Sequence, residues 1–230
     1  MKKRILKTAL TATFPVLTGY LVLGFGFGIL LSAAGYGPVW ALFMSITMYA
    51  GAMQYVAVSL IAGGADLLTV AITTLMVNAR HLFYGISLID KYKGLGWRKI
   101  YCAFGLTDET YSLVCSEPPA AAKEDLGSYY FWVTLLDQLY WICGCVLGAA
   151  AGTVLPFNSQ GIDFVLTALF LTIVTDQWLT ARSHVPAIIG LVSTALSLAV
   201  FGSDNLLIPA MVLIAASLLL WRNHGGEEAL

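Results

Sequence analysis

Long apolar stretches, separated by short polar loops, make up most of this 230-residue chain. Charged residues, glycines and prolines set the edges of each stretch. The apolar segments are residues 14–34, 38–62, 66–90, 100–116, 129–151, 162–179, 184–201 and 206–221. A helix of about 20 apolar residues spans the hydrocarbon core of a bilayer. The pattern therefore predicts an all-α polytopic membrane protein with about 6 to 8 membrane segments.

The composition of the chain agrees with a membrane location. It is 59% hydrophobic and 11% charged, with a mean hydropathy of +0.81. Soluble domains carry about 25% charged residues, so this chain has too few to cover a soluble particle of its size. Its net charge of −1, without a basic stripe outside the loops, argues against nucleic-acid binding. The four cysteines have neither CxxC nor histidine-paired spacing, so we expect small-residue packing and no metal or cofactor.

Two clusters of basic residues conflict with a simple count of membrane crossings. The clusters are Lys2, Lys3, Arg4 and Lys7 at the start, and Lys91, Lys93, Arg98 and Lys99 after the third apolar segment. Basic clusters mark the cytoplasmic side, so we expect both clusters, and hence the N-terminus, in the cytoplasm. Three full crossings would place them on opposite sides. We therefore predict that one intervening segment is broken or re-entrant, which is tolerated at membrane depth where the backbone lines a cavity.

Three polar residues occupy the centre of segment 66–90, where a charge that faces lipid is most costly. They are Asn78, Arg80 and His81. On one continuous helix Asn78 and His81 would share a face, whereas Arg80 and Tyr84 would share another, about 160° from Asn78. An interrupted helix would remove this demand for polar surroundings on two sides. The alternative is an arginine near a helix end whose side chain extends to the membrane interface.

An intramembrane arginine needs an acidic partner or water. The strongest candidate partner lies in the sequence LTDETY, residues 106–111, where Thr107, Asp108, Glu109 and Thr110 interrupt an apolar segment. The alternative for this stretch is an amphipathic segment at the interface with solvated carboxylates.

Further polar residues lie in apolar surroundings and have two open interpretations. They are Gln54 and two Asp-Gln pairs, Asp137 with Gln138 and Asp176 with Gln177. Such residues form hydrogen bonds between membrane helices. They are equally suited to line a transport pathway, and Gln54 could donate a hydrogen bond to the carboxylate of a substrate.

A weak internal repeat is also predicted. GFGFGILLSAAG at residues 24–35 resembles GCVLGAAAG at residues 144–152, and each is followed by an apolar segment with a glutamine. Gly24 aligns with Gly144 at an offset of 120 residues. Chance similarity between segments rich in alanine and glycine is the alternative.

Four blocks of the sequence resemble the AzlC family, the large membrane subunit of branched-chain amino acid exporters. They are AAGYGPVWALFMSITMYAGAMQYVAVSLIAGG, TTLMVNARHLFYGISL, GWRKIYCAFGLTDETYSL and TDQWL. The resemblance runs from about residue 14 to residue 220 and implies an exporter in the bacterial inner membrane. Since nothing in the sequence resembles a nucleotide-binding domain, we expect a secondary carrier. It implies export of valine, leucine and isoleucine, with methionine as a further candidate. The proton gradient is the expected driving force.

The apolar segments also predict a domain organisation, and the resemblance implies a partner. Residues 1–13 would be a basic cytoplasmic N-terminus, residues 14–221 a single transmembrane transporter domain, and residues 222–230 a short polar C-terminal tail. The implied partner is a small hydrophobic subunit of the AzlD type, and a homo-oligomer is compatible with the pattern. No enzyme is indicated, since no HExxH, GxSxG or Walker motif occurs.

The candidate residues for substrate binding or translocation come from the segments described above. They are Gln54, Asn78, Arg80, His81, Tyr84, Thr107, Asp108, Glu109, Asp137, Gln138, Asp176 and Gln177. An amino acid substrate needs a partner for its carboxylate, here Arg80 or a helix N-terminus, and one for its ammonium group, here Asp108 or Glu109. The alternative function is a non-transporting membrane subunit that stabilises or regulates a partner carrying the pathway.

Overall fold

The computed structural model describes residues 2–154, 183–202 and 206–223, together with residues 164, 167, 168, 171, 174, 175, 178, 179 and 181. Every regular element in these described ranges is a helix, which confirms the all-α fold. The chain divides into two compact units, Met1–Leu166 and Thr167–Leu230.

The first unit contains two long helices and several short ones. They are α1 (Lys2–Ala33), α2 (Pro38–Thr47), α3 (Gly51–Ala62), α4 (Leu67–Val77), α5 (Arg80–Ser87), α6 (Arg98–Phe104), α7 (Asp108–Cys115), a 3-10 turn (Ala120–Ala122) and α8 (Leu126–Val154). In the second unit, α9 (Val185–Phe201) and α10 (Leu207–Asn223) pack against each other.

Helices α1 and α8 are long and apolar enough to span a membrane, and they form the centre of the first unit. They run parallel, since Gly24 meets Cys145 and, one turn further along, Gly28 meets Ala149. A Cβ atom on Gly24 would lie 3.0 Å from the amide nitrogen of Cys145, so the two backbones are in contact. Small residues at this spacing let membrane helices approach closely and gain van der Waals contact.

The two glycine patterns that predict an internal repeat are the two sides of this helix contact. A Cβ atom on Gly144 would lie 2.8 Å from the carbonyl oxygen of Tyr20, and Gly148 packs directly on the backbone of Phe25. Packing between α1 and α8 is therefore sufficient to explain the shared GxxxG spacing. The repeat itself stays a prediction.

Helix α2 returns from the end of α1 into the middle of the unit. It begins at Pro38, a short turn after α1 ends. The end of α1 lies beside the C-terminal part of α8, because Gly152 packs against Ser32. Near the end of α2, the carbonyl oxygen of Ile46 accepts a hydrogen bond of 3.5 Å from Nε2 of Gln138. Helix α2 thus runs antiparallel to α1 and α8.

The chain reverses at Tyr49, so that α2 and α3 form a re-entrant hairpin. Tyr49 lies beside Tyr20 of α1, whereas the Tyr55 hydroxyl donates to the carbonyl oxygen of Leu23 at 2.6 Å. Helix α3 therefore proceeds back towards the C-terminal end of α1. Tyr49 is buried and has a φ of +37°, a left-handed conformation that is uncommon outside glycine. Residues 38–62, predicted as one apolar segment, return to the side from which they enter.

A second interruption divides segment 66–90. Helices α4 and α5 meet at an angle of 45°, with α4 ending at the C-cap residue Asn78 and α5 beginning at Arg80. The predicted broken element is confirmed here, at the polar residues that suggested it. Segment 100–116 is also divided, into the short helices α6 and α7.

The two basic clusters lie at one end of the first unit. Arg4 forms an ion pair with Glu124 at 3.3 Å, and Arg98 lies 3.7 Å from Asp125 in the same linker. The hairpin of α2 and α3 accounts for this arrangement, because it removes one of the three crossings. Helix α1 begins at Lys2 and not at residue 14, so the basic N-terminal residues are helical.

Candidate functional site

An ion pair between Arg80 and Asp108 lies where two interrupted segments meet. Nη1 of Arg80 is 3.0 Å from Oδ2 of Asp108, and the two side chains are 34% and 25% exposed. The pair is thus sheltered but still accessible. Nε of Arg80 and Oδ1 of Asp108 are buried and lack a hydrogen-bond partner among the described residues. Each member keeps a free polar atom, a donor on one and an acceptor on the other.

The start of α7 places Asp108 and its neighbour Glu109. Thr107 is the N-cap residue, and its hydroxyl oxygen accepts a hydrogen bond from the backbone N–H of Thr110 at 3.3 Å. Both carboxylates occupy the first turn, where the positive end of the helix dipole stabilises negative charge. The polar sequence LTDETY therefore marks a helix start inside the unit.

Hydroxyl groups connect this helix start to α1 and α8. The Tyr20 hydroxyl lies 2.6 Å from the Thr107 hydroxyl and donates to Oε2 of Glu109, also at 2.6 Å. The Thr110 hydroxyl donates to Oδ2 of Asp137 at 2.7 Å. Asp137 is fully buried in the middle of α8. The two carboxyl groups are thus linked through side-chain hydroxyls alone.

Asn78, His81 and Tyr84 flank Arg80 along α4 and α5. Nδ1 of His81 lies 3.1 Å from the carbonyl oxygen of Asn78, and the rings of His81 and Tyr84 are 5.8 Å apart. Tyr84 lies near the Asp108 carboxylate. The α4–α5 bend therefore brings these predicted residues to one place.

Gln138 connects α8 with α6 and the hairpin. Its Oε1 accepts a hydrogen bond of 2.6 Å from the Tyr101 hydroxyl, and its Nε2 donates to the Ile46 carbonyl oxygen. These contacts hold the tip of the hairpin against α8, one residue away from Asp137.

Gln54 bonds to other elements of the first unit. Its Oε1 accepts from Nε1 of Trp141 at 2.7 Å, and its Nε2 donates to the Ser45 hydroxyl at 3.3 Å. These are the helix-bridging hydrogen bonds that the sequence left open as one alternative. A role of Gln54 in substrate binding stays a prediction. Asp176 and Gln177 lie outside the described residues.

Several residues at this site were not predicted from the sequence. Tyr20, Tyr49 and Thr110 are tyrosines and threonines in apolar segments, where neither residue type is unusual. The sequence signals were the position of Thr110 within LTDETY and the dipeptide AG at residues 50–51, directly after Tyr49.

A polytopic all-helical fold, with interrupted helices that meet at a charged centre, is typical of membrane transport proteins. The sequence model of the family described as AzlC protein matches residues 15–155. The chain belongs to the AzlC family, a family of transport proteins in the membrane.

Relatives match the chain over most of its length. It is 40% identical over 216 residues to the branched-chain amino acid transport protein AzlC of Bacillus subtilis, covering 94% of this chain and 85% of the relative. It is 38% identical over 218 residues to a membrane protein of Helicobacter pylori, covering 95% of each. It is 29% identical over 171 residues to the inner membrane protein YgaZ of Escherichia coli, covering 70% of this chain and 68% of the relative. No solved structure matches the chain.

Proposed function

We propose that this protein is the large subunit of a secondary transporter that exports branched-chain amino acids across the bacterial inner membrane. Valine, leucine and isoleucine are the proposed substrates, with methionine as a further candidate. The Bacillus subtilis relative, named a branched-chain amino acid transport protein, supports the substrate class. The name of the Escherichia coli relative supports the inner membrane. Outward transport and coupling to the proton gradient belong to the same proposal.

The observation that carries the proposal is the Arg80–Asp108 pair with its two free polar atoms. An amino acid is a zwitterion, so its site needs a cationic and an anionic side chain at short distance. A substrate that enters between them would bind its carboxylate to Arg80 and its ammonium group to Asp108. Each charge then exchanges one ionic partner for another, and no charge is left unpaired in a low-dielectric site.

Aromatic rings beside the pair suit the rest of such a substrate. Tyr84 and Tyr111 stack with ring centroids 4.3 Å apart, and Tyr84 lies near Asp108. Their faces would offer an apolar wall to a branched side chain, while the charged groups fix the backbone atoms of the amino acid.

Two further parts of the proposal concern orientation and assembly. Both basic clusters would face the cytoplasm, in line with the usual charge bias of membrane proteins. A small hydrophobic subunit of the AzlD type would complete the transporter, and this part rests on the family resemblance.

Proteoliposomes test the proposal directly. Purified protein is reconstituted with and without the small subunit, the vesicles are loaded with labelled valine, and efflux is measured with and without a proton gradient. We expect gradient-dependent efflux in the two-subunit vesicles, and inhibition by leucine and isoleucine but not by lysine. If neither preparation releases valine, the proposed function is wrong for this chain, and the alternative of a regulatory subunit is favoured.

A further inference from the structure

An unbroken row of oxygen atoms connects two carboxyl groups inside the first unit. The row is Glu109 Oε2, Tyr20 Oη, Thr107 Oγ1, Thr110 Oγ1 and Asp137 Oδ2. Successive oxygens are 2.6, 2.6, 3.1 and 2.7 Å apart. The first, second and fourth distances suit O–H···O hydrogen bonds, and the third is slightly long for one. The row joins α1, α7 and α8 without a backbone group between its ends.

The number of hydrogens in this row is one too few if both carboxyl groups are ionised. Its four oxygen–oxygen contacts need four hydrogens, whereas the hydroxyls of Tyr20, Thr107 and Thr110 supply three. One contact would then bring two acceptor oxygens together with no hydrogen between them. A single additional proton, on Glu109 or on Asp137, completes the row.

The completed row has two arrangements, which differ in the carboxyl group that carries the proton. With the proton on Glu109, every O–H group donates in the direction of Asp137. When each oxygen passes its hydrogen to the next, one O–H bond breaks and one forms at every step. Asp137 gains a proton, Glu109 loses one, and the three hydroxyls end neutral with their directions reversed.

The surroundings of Asp137 favour a bound proton. Asp137 is 0% exposed, and its Oδ1 has no hydrogen-bond partner in the described part of the chain. None of the ion pairs found among the described residues includes Asp137. A buried carboxylate with one hydrogen bond and no cation is costly, and protonation removes that cost.

The titratable groups that face the row are acidic or phenolic. They are Tyr20 from α1, Tyr49 from the hairpin tip, Glu109 from α7 and Tyr129 from α8. The guanidinium group of Arg80 is paired with Asp108 and not with Glu109 or Asp137 among the described ion pairs. Protonation of this group of residues therefore adds no positive charge and relieves repulsion between Glu109 and Asp137.

We propose that Glu109 and Asp137 share one proton along this row of hydroxyls, and that this proton is the coupling ion of the transporter. The coupling role of this proton rests on the proposed function. Glu109 is the neighbour of Asp108 in the first turn of α7. A substrate ammonium group bound at Asp108 would place a positive charge beside Glu109 and favour its ionised form. Substrate binding thus drives the shared proton towards Asp137 or out of the site.

The experiment uses the complete protein in proteoliposomes with two measurements. One is exchange of labelled for unlabelled valine without a gradient, and the other is valine-dependent proton movement reported by a pH-sensitive dye in the vesicle. In Asp137→Asn and Thr110→Val the ratio of valine-dependent proton movement to valine exchange should fall by about tenfold or more. Thr134→Val is the matched control, since Thr134 is also buried in α8 but its hydroxyl donates to the Tyr130 carbonyl oxygen and takes no part in the row.

Two outcomes would overturn the coupling role. Loss of exchange together with proton movement in Asp137→Asn would place Asp137 in the substrate site or in the structural core. Undiminished proton movement in both variants would show that the proton takes another route. A wild-type protein without exchange would instead contradict the proposed function.

The shared proton has a test that does not depend on transport. Infrared spectra of purified protein at neutral pH should contain the carbonyl band of a buried protonated carboxyl group. The band should disappear in the double variant with Asp137→Asn and Glu109→Gln, and remain in Thr134→Val. A wild-type spectrum without the band would overturn the inference.

Discussion

Arg80 and Asp108 are each the first residue of a helix that begins inside the first unit, and their side chains meet at 3.0 Å. The positive end of a helix dipole stabilises Asp108 but disfavours Arg80. The dipole of α5 therefore does not stabilise the positive charge of Arg80. An anion close to the start of α5 is needed, and either Asp108 or a substrate carboxylate can supply it.

Arg80→Lys should lower valine export by about 10- to 100-fold, because an ammonium group cannot reproduce a guanidinium fork on a carboxylate. The measurement is intracellular valine after feeding a valine-containing dipeptide to cells that express both subunits. Arg98→Lys is the matched control, since Arg98 also lies beside a carboxylate, Asp125, but away from the site. Wild-type export by Arg80→Lys, at a normal amount of folded protein, would contradict the assignment.

Gly28→Ala should destabilise the first unit by about 1–3 kcal/mol, because the added methyl group would overlap the backbone of Cys145 and Ala149. Gly19→Ala on the same helix is the control, since a Cβ atom there has no neighbour within 4 Å among the described residues. Thermal unfolding in detergent, followed by size-exclusion chromatography, compares the two. Equal melting temperatures would show that α1 and α8 are not held by backbone contact.

Single cysteines at positions 3 and 95, in a cysteine-free background, should both react with an impermeant reagent from the cytoplasmic side. The re-entrant hairpin and the Arg4–Glu124 and Arg98–Asp125 contacts lead to this expectation. Background cysteines have to be removed, because Cys115 and Cys143 are exposed. Labelling of the two positions from opposite sides would exclude the re-entrant arrangement.

Export by this chain alone should be weak, and co-expression of the small AzlD-like subunit should restore it. The reason is the proposed two-subunit transporter. Intracellular valine is compared between three strains. One expresses the large subunit alone, one expresses both subunits, and one expresses both subunits with Arg80→Lys in the large subunit. Full export without the small subunit would refute this expectation. If none of the three strains exports valine, valine is not a substrate.

The sequence was informative where a residue was costly in its surroundings. A charge in the middle of segment 66–90 requires a partner. Among the acidic candidates the LTDETY stretch, which contains Asp108, stood out because its polar residues interrupt an apolar segment. The count of basic clusters required an interrupted segment, and the structure contains the hairpin of α2 and α3 and the bend at Asn78.

The sequence was uninformative where a residue fits both an apolar and a polar role. Tyr20 satisfies the hydropathy pattern of a membrane helix, and Thr110 is part of LTDETY but carries no charge, so neither hydroxyl was predicted as a site group. Only the packing of α1, α7 and α8 brings these groups within 2.7 Å of the carboxylates. The reversal at Tyr49 was marked only by the dipeptide AG that follows it, because residues 38–62 are predominantly apolar and long enough for a full crossing.

The parallel contact between α1 and α8 also constrains the order of events during biosynthesis. The matching glycines are separated by 120 residues of chain, so the contact face of α1 enters the membrane long before its mate exists. At typical translation rates of 5–20 residues per second, the ribosome needs about 6–24 s to supply Gly144. During that interval the surface around Gly24 is open to lipid or to a chaperone. The hairpin and the charged centre then pack against α1 but not yet against α8. Insertion of α8 is then the event that closes the unit, and truncations before residue 144 should leave a nascent chain exposed to membrane proteases.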